Sequence, residues 1–204
     1  VLDPIVGVHF EPIVVLDYAS LYPSSMIEKN ISHETFIPPE QQGGEYDNLP
    51  GYIYHEVKEK EDKDVPPGET NTLFRFAEKA DGTKGIIPEI LSELLGARKA
   101  TRAKIKTTPD PFMKAVLNGL QLAYKITANS VYGQCGADTS PISCKPLAAA
   151  TTATGRGLLL LAAAKIKEIY PGTIIVYGDT DSIFVKFPIK DKNGRYIQTK
   201  EALA

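Results

Sequence analysis

The period of the apolar positions changes several times along the chain, and each change marks a predicted element. Pro12 to Asp17 (PIVVLD) is a short β-branched run that predicts a buried strand ending at Asp17. Ser20 to Glu28 switches to helical spacing, with Ser20 in the position of an N-cap. From about 38 to 72, Pro, Gly and acidic residues dominate and only Tyr52 to Val57 looks strand-like, which predicts an exposed excursion from the core. Leu73 to Phe76 predicts a further short strand before a turn at Asp81-Gly82.

Helical spacing then returns. Pro88 to about Thr107 and Pro111 to about Val131 predict two long helices, the first with Pro early and the second with Asp110 as its N-cap. The short, Pro-containing join between them makes the pair antiparallel neighbours, a helical hairpin. A third, Ala-rich helix from about Pro146 to Ile169 is apolar round most of its circumference, so it is expected to pack against a sheet; Gly155-Arg156-Gly157 would permit close approach. Thr173 to Tyr177 and Ser182 to Phe187 are both β-rich. The residues between them, Gly178-Asp179-Thr180-Asp181, predict a hairpin whose tip carries two carboxylates.

Composition adds limits. With 43% hydrophobic and 24% charged residues the 204-residue chain is folded rather than a disordered tail. No apolar run approaches the roughly 18 residues of a membrane span, and the opening residues lack a signal peptide's basic start, so a soluble intracellular protein with no membrane partner is expected. The chain opens without Met directly ahead of a strand, as a piece of something longer would. Cys135 and Cys144, with three scattered histidines, give no zinc-ligand spacing; two reduced, buried thiols are expected. The net charge of -2 conceals a division. Residues 40–69 hold nine acids against three lysines, whereas Arg98, Lys99, Arg102, Lys104, Lys106, Lys114 and Lys125 face one acid, Asp110, between 98 and 125. The basic segment is a candidate for contact with phosphate, a solvated helix face being the alternative.

Three constellations carry chemistry. The hairpin Tyr177-Gly178-Asp179-Thr180-Asp181-Ser182 sets two acids beside a tight turn, where unpaired anions persist most cheaply in water or around a cation. Oxygen ligands favour Mg²⁺ or Mn²⁺ over zinc. An EF-hand loop fails, because its fifth, sixth and twelfth positions would be Ile183, Phe184 and Lys190. Solvated turn acids stay open as an alternative. Second, Asp17 ends a strand that runs directly into a helix, whose free N–H groups suit a phosphate chain. If the strands bearing Asp17 and Asp181 are neighbours, their carboxylates can bridge two cations about 4 Å apart. Third, Arg98 and Arg102 are spaced i, i+4, and Lys125, Asn129 and Tyr132 follow at i, i+4, i+7, each set on one helix face. Fixed cations opposite a carboxylate site are what phosphoryl transfer requires. In isolation, Tyr132 could equally be a core aromatic and Asn129 a helix-ending polar residue.

These residues together resemble the family B DNA polymerases, in particular the delta-like group that includes enzymes of large DNA viruses. Asp17-Tyr18-Ala19-Ser20-Leu21-Tyr22-Pro23-Ser24 is similar to the family's first motif, Lys125-Ile126-Thr127-Ala128-Asn129-Ser130-Val131-Tyr132-Gly133 to its second, and Tyr177 to Ser182 to its third, in the family's order. Ile87-Pro88-Glu89-Ile90-Leu91 through Ala97-Arg98-Lys99 resembles its fingers signature. Leu120, where relatives often carry Arg, and Tyr124, where aliphatics are usual, depart from the pattern.

The resemblance implies an α/β (α+β) fold: a polymerase palm with an antiparallel sheet and packed helices, interrupted by an α-helical hairpin, the fingers. It implies palm over 1–84 with the acidic excursion at about 38–72, fingers over 85–129, and palm again over 130–204, with no exonuclease or thumb segment. Asp17 and Asp181 would be catalytic and bind two Mg²⁺ ions, replaceable by Mn²⁺, with the Tyr18 carbonyl as a further ligand and Asp179 in support. The N–H groups of Ser20, Leu21 and Tyr22 would hold the triphosphate, with Arg98, Arg102, Lys125 and Asn129 closing over it. Tyr22 would also exclude a 2′-hydroxyl, and Tyr132 and Gly133 would line the nascent base pair. The implied partners are a DNA primer-template, dNTP, and a sliding clamp and accessory subunits reached through other regions; the implied location is the nucleus or a viral replication site. Two rivals are another two-carboxylate palm enzyme, such as a reverse transcriptase or nucleotide cyclase, and an inactive, DNA-binding polymerase-like subunit. Tyr22 and the Lys125-to-Asn129 helix argue against the first, and the presence of both Asp17 and Asp181 against the second.

Overall fold

The computed structural model describes residues 2, 4–60, 64–67 and 70–188. Glu61, Asp62, Lys63 and Glu69 of the acidic stretch, and the chain from 189 onward with Lys190, lie outside the described residues. In chain order the elements are β1 (Val14–Asp17), α1 (Leu21–Glu28), β2 (Phe36–Ile37), β3 (Tyr52–Lys58), β4 (Leu73–Lys79), α2 (Ile86–Thr107), α3 (Pro111–Gly136), α4 (Lys145–Ile169), β5 (Ile174–Asp179) and β6 (Ser182–Lys186). The fold is mixed α/β with two antiparallel sheets of three strands each. Two compact units result, one of Val1–Leu21 with Gly155–Ala204, the other of Tyr22–Thr154.

In the first unit the sheet order is β1-β6-β5. Ile183 and Val185, two apart on β6, point to one face and are buried with Leu159 and Ala163 from the end of α4. Each such burial is worth about 1.5–3 kcal/mol for the larger side chains. The β1 strand differs from the sequence expectation of burial, since Val15 is 51% and Leu16 40% exposed. A β-branched run specifies extended backbone but not cover, and β1 is an edge strand with β6 alone beside it in the sheet.

The second unit holds the sheet β2-β4-β3. The strand expected at Tyr52 to Val57 within the excursion is present as β3, which pairs with β4 from Tyr52↔Lys79 to Lys58↔Leu73, but it is not wholly exposed. Its Val57 is buried with Phe74 and Phe76 of β4 and with Met26, Leu91, Ala128 and Leu147 from the helices. A single buried apolar position among exposed acids is invisible to average composition, though strand alternation permits it. Glu78 of β4 is 7% exposed and accepts hydrogen bonds from Lys84 Nζ and His55 Nε2, each at 2.7 Å. Burial works against its ionisation, but Lys84 and then His55 outweigh that and hold Glu78 below the usual glutamate value of 4.5. A carboxylate with a lowered folded-state pKa stabilises above its unfolded value and loses that contribution as pH falls through the folded value. The thermal midpoint should therefore drop below about pH 4.5, and Glu78→Gln should lower it at neutral pH while flattening the acid drop, as circular-dichroism melts would show.

The start of α2 is capped from a distance. Gly85 N–H donates to Asn30 Oδ1 (2.8 Å), Ile86 N–H to Glu34 Oε1 and Ile87 N–H to Ser32 Oγ (3.3 Å), so the loop after α1 satisfies three successive donors. Gly85 sits so tightly there that an added Cβ would lie 2.8 Å from Glu34 Oε1 and from Thr35 Cγ2. Gly85→Ala should cost about 1–3 kcal/mol in urea unfolding. Gly96→Ala, in the same helix with nothing near its Cβ position, should be neutral or stabilising by about 0.5–1 kcal/mol.

Asp110 caps α3 as expected, accepting from Phe112 and Met113 N–H at 3.2 Å each. The helix continues past Val131 to Gly136. By length and composition alone the 25-residue α4 is long and apolar enough to cross a membrane, contrary to the sequence expectation. Its many Ala residues and the run Leu158, Leu159, Leu160 and Leu161 make it apolar, and Leu147, Ala150 and Ala153 serve the second unit's core while Leu159 and Ala163 serve the first's. Cys135 is buried, and burial pushes its thiol pKa up; Cys144 is only half-buried, and both are free thiols.

Candidate active site

Strand register builds the carboxylate cluster of the first unit. Asp17 of β1 stands opposite Ser182 of β6, and Ser182 stands opposite Asp179 of β5. Directly paired residues share a face, so the three form one row across the sheet end. The β5–β6 connection is shorter than the expected four-residue tip: only Thr180 and Asp181 lie between the strands. Thr180 adopts φ +51°, a left-handed conformation that costs a β-branched residue about 1–2 kcal/mol. Tyr18 N–H donates to the Asp181 carbonyl at 2.8 Å, tying the residue after β1 to the hairpin tip. The Tyr18 hydroxyl donates to Leu158 O at 3.0 Å.

The Ser182 hydroxyl lies 2.9 Å from Asp17 Oδ2 and 3.4 Å from Asp181 Oδ1. Two carboxylates 164 positions apart in the chain thus both approach the Ser182 hydroxyl. Among the described residues neither forms an ion pair, nor does Asp179. Close, unpaired anions repel, and a hard cation is the group that relieves them. The donors are all oxygen, which fits Mg²⁺ or Mn²⁺. No group of three or more His, Cys, Asp or Glu side chains surrounds such an ion among the described residues. Mg²⁺ is commonly held by one or two carboxylates, with its other ligands coming from phosphates and water. Asp179 is held by its neighbours instead: Tyr177 OH donates to its Oδ2 (3.3 Å) and Thr180 Oγ1 to its Oδ1 (3.2 Å). Burial, and then the charge and hydrogen bond of Asp179, push the Tyr177 hydroxyl above its usual pKa, so it remains a donor at neutral pH.

Ser20, expected as an N-cap, adopts a left-handed φ of +54° immediately before α1. The first turn of α1 carries no acidic residue, which leaves its partial positive charge uncancelled there. In the second unit, Tyr22 and Tyr132 stack with centroids 4.4 Å apart and planes tilted by 38°. On the helical hairpin, Arg98 Nε donates to Gln121 Oε1 at 3.4 Å. Gln121 is one turn before Lys125, so Arg98 and Lys125 flank the same side of the hairpin. Arg102, Lys125, Asn129 and Gly133 are exposed.

Residues 1–203 match the family described as DNA polymerase family B. The chain belongs to that family. It is 43% identical to the DNA polymerase of Pyramimonas orientalis virus, over 100% of this chain and 20% of that protein. It is 39% identical to the DNA polymerase delta catalytic subunit of Dictyostelium discoideum, over 93% of this chain and 16% of that protein. Among solved structures, the family B DNA polymerase from the hyperthermophilic archaeon Pyrobaculum calidifontis matches with a TM-score of 0.60 and 31% identity, covering 85% of this chain and 20% of that one. This family B chain spans about a fifth or less of the length of these relatives.

Within the family B chain, Asp17, Tyr18, Ser20, Leu21, Asp179 and Asp181 fall in the first unit. Tyr22, Arg98, Arg102, Lys125, Asn129, Tyr132 and Gly133 fall in the second. Sequence reasoning missed Ser182 and Gln121. Ser182 adjoins Asp181, but its place opposite Asp17 depends on β1 pairing with β6, which no local pattern announces.

Proposed function

We propose that this chain carries the nucleotidyl-transfer centre of a DNA-directed DNA polymerase, which adds deoxynucleotides to a primer 3′ end on a DNA template during replication. The observation that carries the reading is the approach of Asp17 and Asp181 to one hydroxyl, within motifs that stand in the family's order. Bound there, two Mg²⁺ ions, or Mn²⁺ in their place, would lower the pKa of the attacking hydroxyl and neutralise the leaving phosphates. Asp17 and Asp181 would hold them with the Tyr18 backbone carbonyl, and Asp179 would shape the local field from its hydroxyl cradle. The N–H groups of Ser20, Leu21 and Tyr22 would bind the β- and γ-phosphates at the start of α1. Arg98, Arg102, Lys125 and Asn129 would add positive charge and donors for the triphosphate. The stacked Tyr22 and Tyr132 suit a sugar and a base respectively, with Gly133 leaving room beside the base pair.

The palm and fingers division at 84 and 129, a clamp partner, and a location in the nucleus or a viral replication site belong to the same proposal. Primer extension by the intact protein with Mg²⁺ and each dNTP tests it. Template-dependent extension supports the reading; a folded, DNA-binding protein that never extends a primer would favour the inactive subunit instead.

A further inference from the structure

We propose that Ser182 is a positioning residue for the cation site: its hydroxyl clips Asp17 to Asp181, setting the spacing at which the two carboxylates hold metal. The inference rests on the two-carboxylate reading above and assigns a role to a residue outside that set.

The geometry singles Ser182 out. It is the middle member of the row Asp17, Ser182, Asp179, and so is fixed by backbone pairing on both sides. Its Oγ is within 2.9 Å of one carboxylate and 3.4 Å of the other, and among the described residues no other side chain hydrogen-bonds to the carboxylate of Asp17 or Asp181. The remaining hydroxyls of the hairpin, Tyr177 and Thr180, are committed to Asp179. A hydroxyl has one proton, so it donates to a single carboxylate at any instant, and the shorter distance favours Asp17. That donation fixes one Asp17 oxygen beside Asp181 and leaves lone pairs of both carboxylates for a cation. Groups that orient metal ligands without touching the metal commonly change its affinity by about 10–100-fold when removed. Loss of the clip would let Asp17, exposed on an edge strand, swing away from Asp181 under their mutual repulsion.

The test is Mn²⁺ binding to the intact protein without DNA or nucleotide, read from the free-ion electron paramagnetic resonance signal, for wild type, Ser182→Ala, Ser182→Thr, Asp17→Asn and Asp181→Asn. Ser182→Ala should weaken Mn²⁺ binding by about tenfold or more, and Ser182→Thr, which keeps the hydroxyl, should restore it to within about threefold. The metal-free melting midpoint of each serine variant separates this from a general loss of folding: a purely structural residue would shift the midpoint and leave Mn²⁺ affinity alone. Wild-type Mn²⁺ affinity in Ser182→Ala, with binding lost in Asp17→Asn and Asp181→Asn, overturns the clip and spares the site. Equal weakening in Ser182→Ala and Ser182→Thr also overturns it. Undiminished binding in both aspartate variants overturns the site itself, and the clip with it.

Discussion

Asp181→Asn is expected to lower nucleotide incorporation by about three orders of magnitude or more while leaving primer-template binding within about threefold. The substitution keeps size and hydrogen-bonding capacity but removes one of two charges that converge on Ser182. Asn can still accept from the serine and can still lie beside Asp17, so the hairpin should fold. What it cannot do is supply the second negative charge for a pair of divalent ions. Single-turnover incorporation, measured beside DNA binding by anisotropy, separates the two effects. Wild-type turnover in this variant would remove Asp181 from the chemistry.

Tyr22→Ala is expected to raise ribonucleotide use by about a hundredfold relative to deoxyribonucleotide. The ring of Tyr22 is braced at 4.4 Å by that of Tyr132, so it cannot yield easily to an added hydroxyl. If Tyr22 is the gate, rejection by bulk would depend on that bracing. Tyr22→Phe keeps the stacked ring and should keep sugar discrimination; Tyr132→Ala should relax it by loosening the support. The ratio of kcat/KM for the two nucleotide types gives the answer directly. Unchanged discrimination in Tyr22→Ala would take the gate away from Tyr22 and leave its stacking as a structural contact.

Much of this arrangement was legible from local pattern, because the relevant signals are short-range. A Pro after Asp110 and the carboxylate of Asp110 itself determine where α3 begins. The β5–β6 hairpin follows from two β-rich runs around a turn, although the strands run further into the tip than the residue pattern indicates. Pairing between remote segments was not legible. Nothing near Val14 says that it will lie against Val185, and the burial of Val57 depends on Phe74 and Phe76 arriving on the neighbouring strand. Nor did any motif foretell that Asn30, Ser32 and Glu34 would cap α2, since those residues look like an ordinary polar loop. The exposure of Val15 and Leu16 has the same origin: β propensity describes a strand, and its neighbours decide which faces are covered.

The most direct measurement is a double-mutant cycle of Mn²⁺ binding across Asp17→Asn and Asp181→Asn in the intact protein. If the two carboxylates hold ions in common, each single variant loses nearly as much affinity as the double variant, and the effects are strongly non-additive. Losses that simply add, or affinity that survives in both single variants, would mean that Asp17 and Asp181 act separately and would contradict the account.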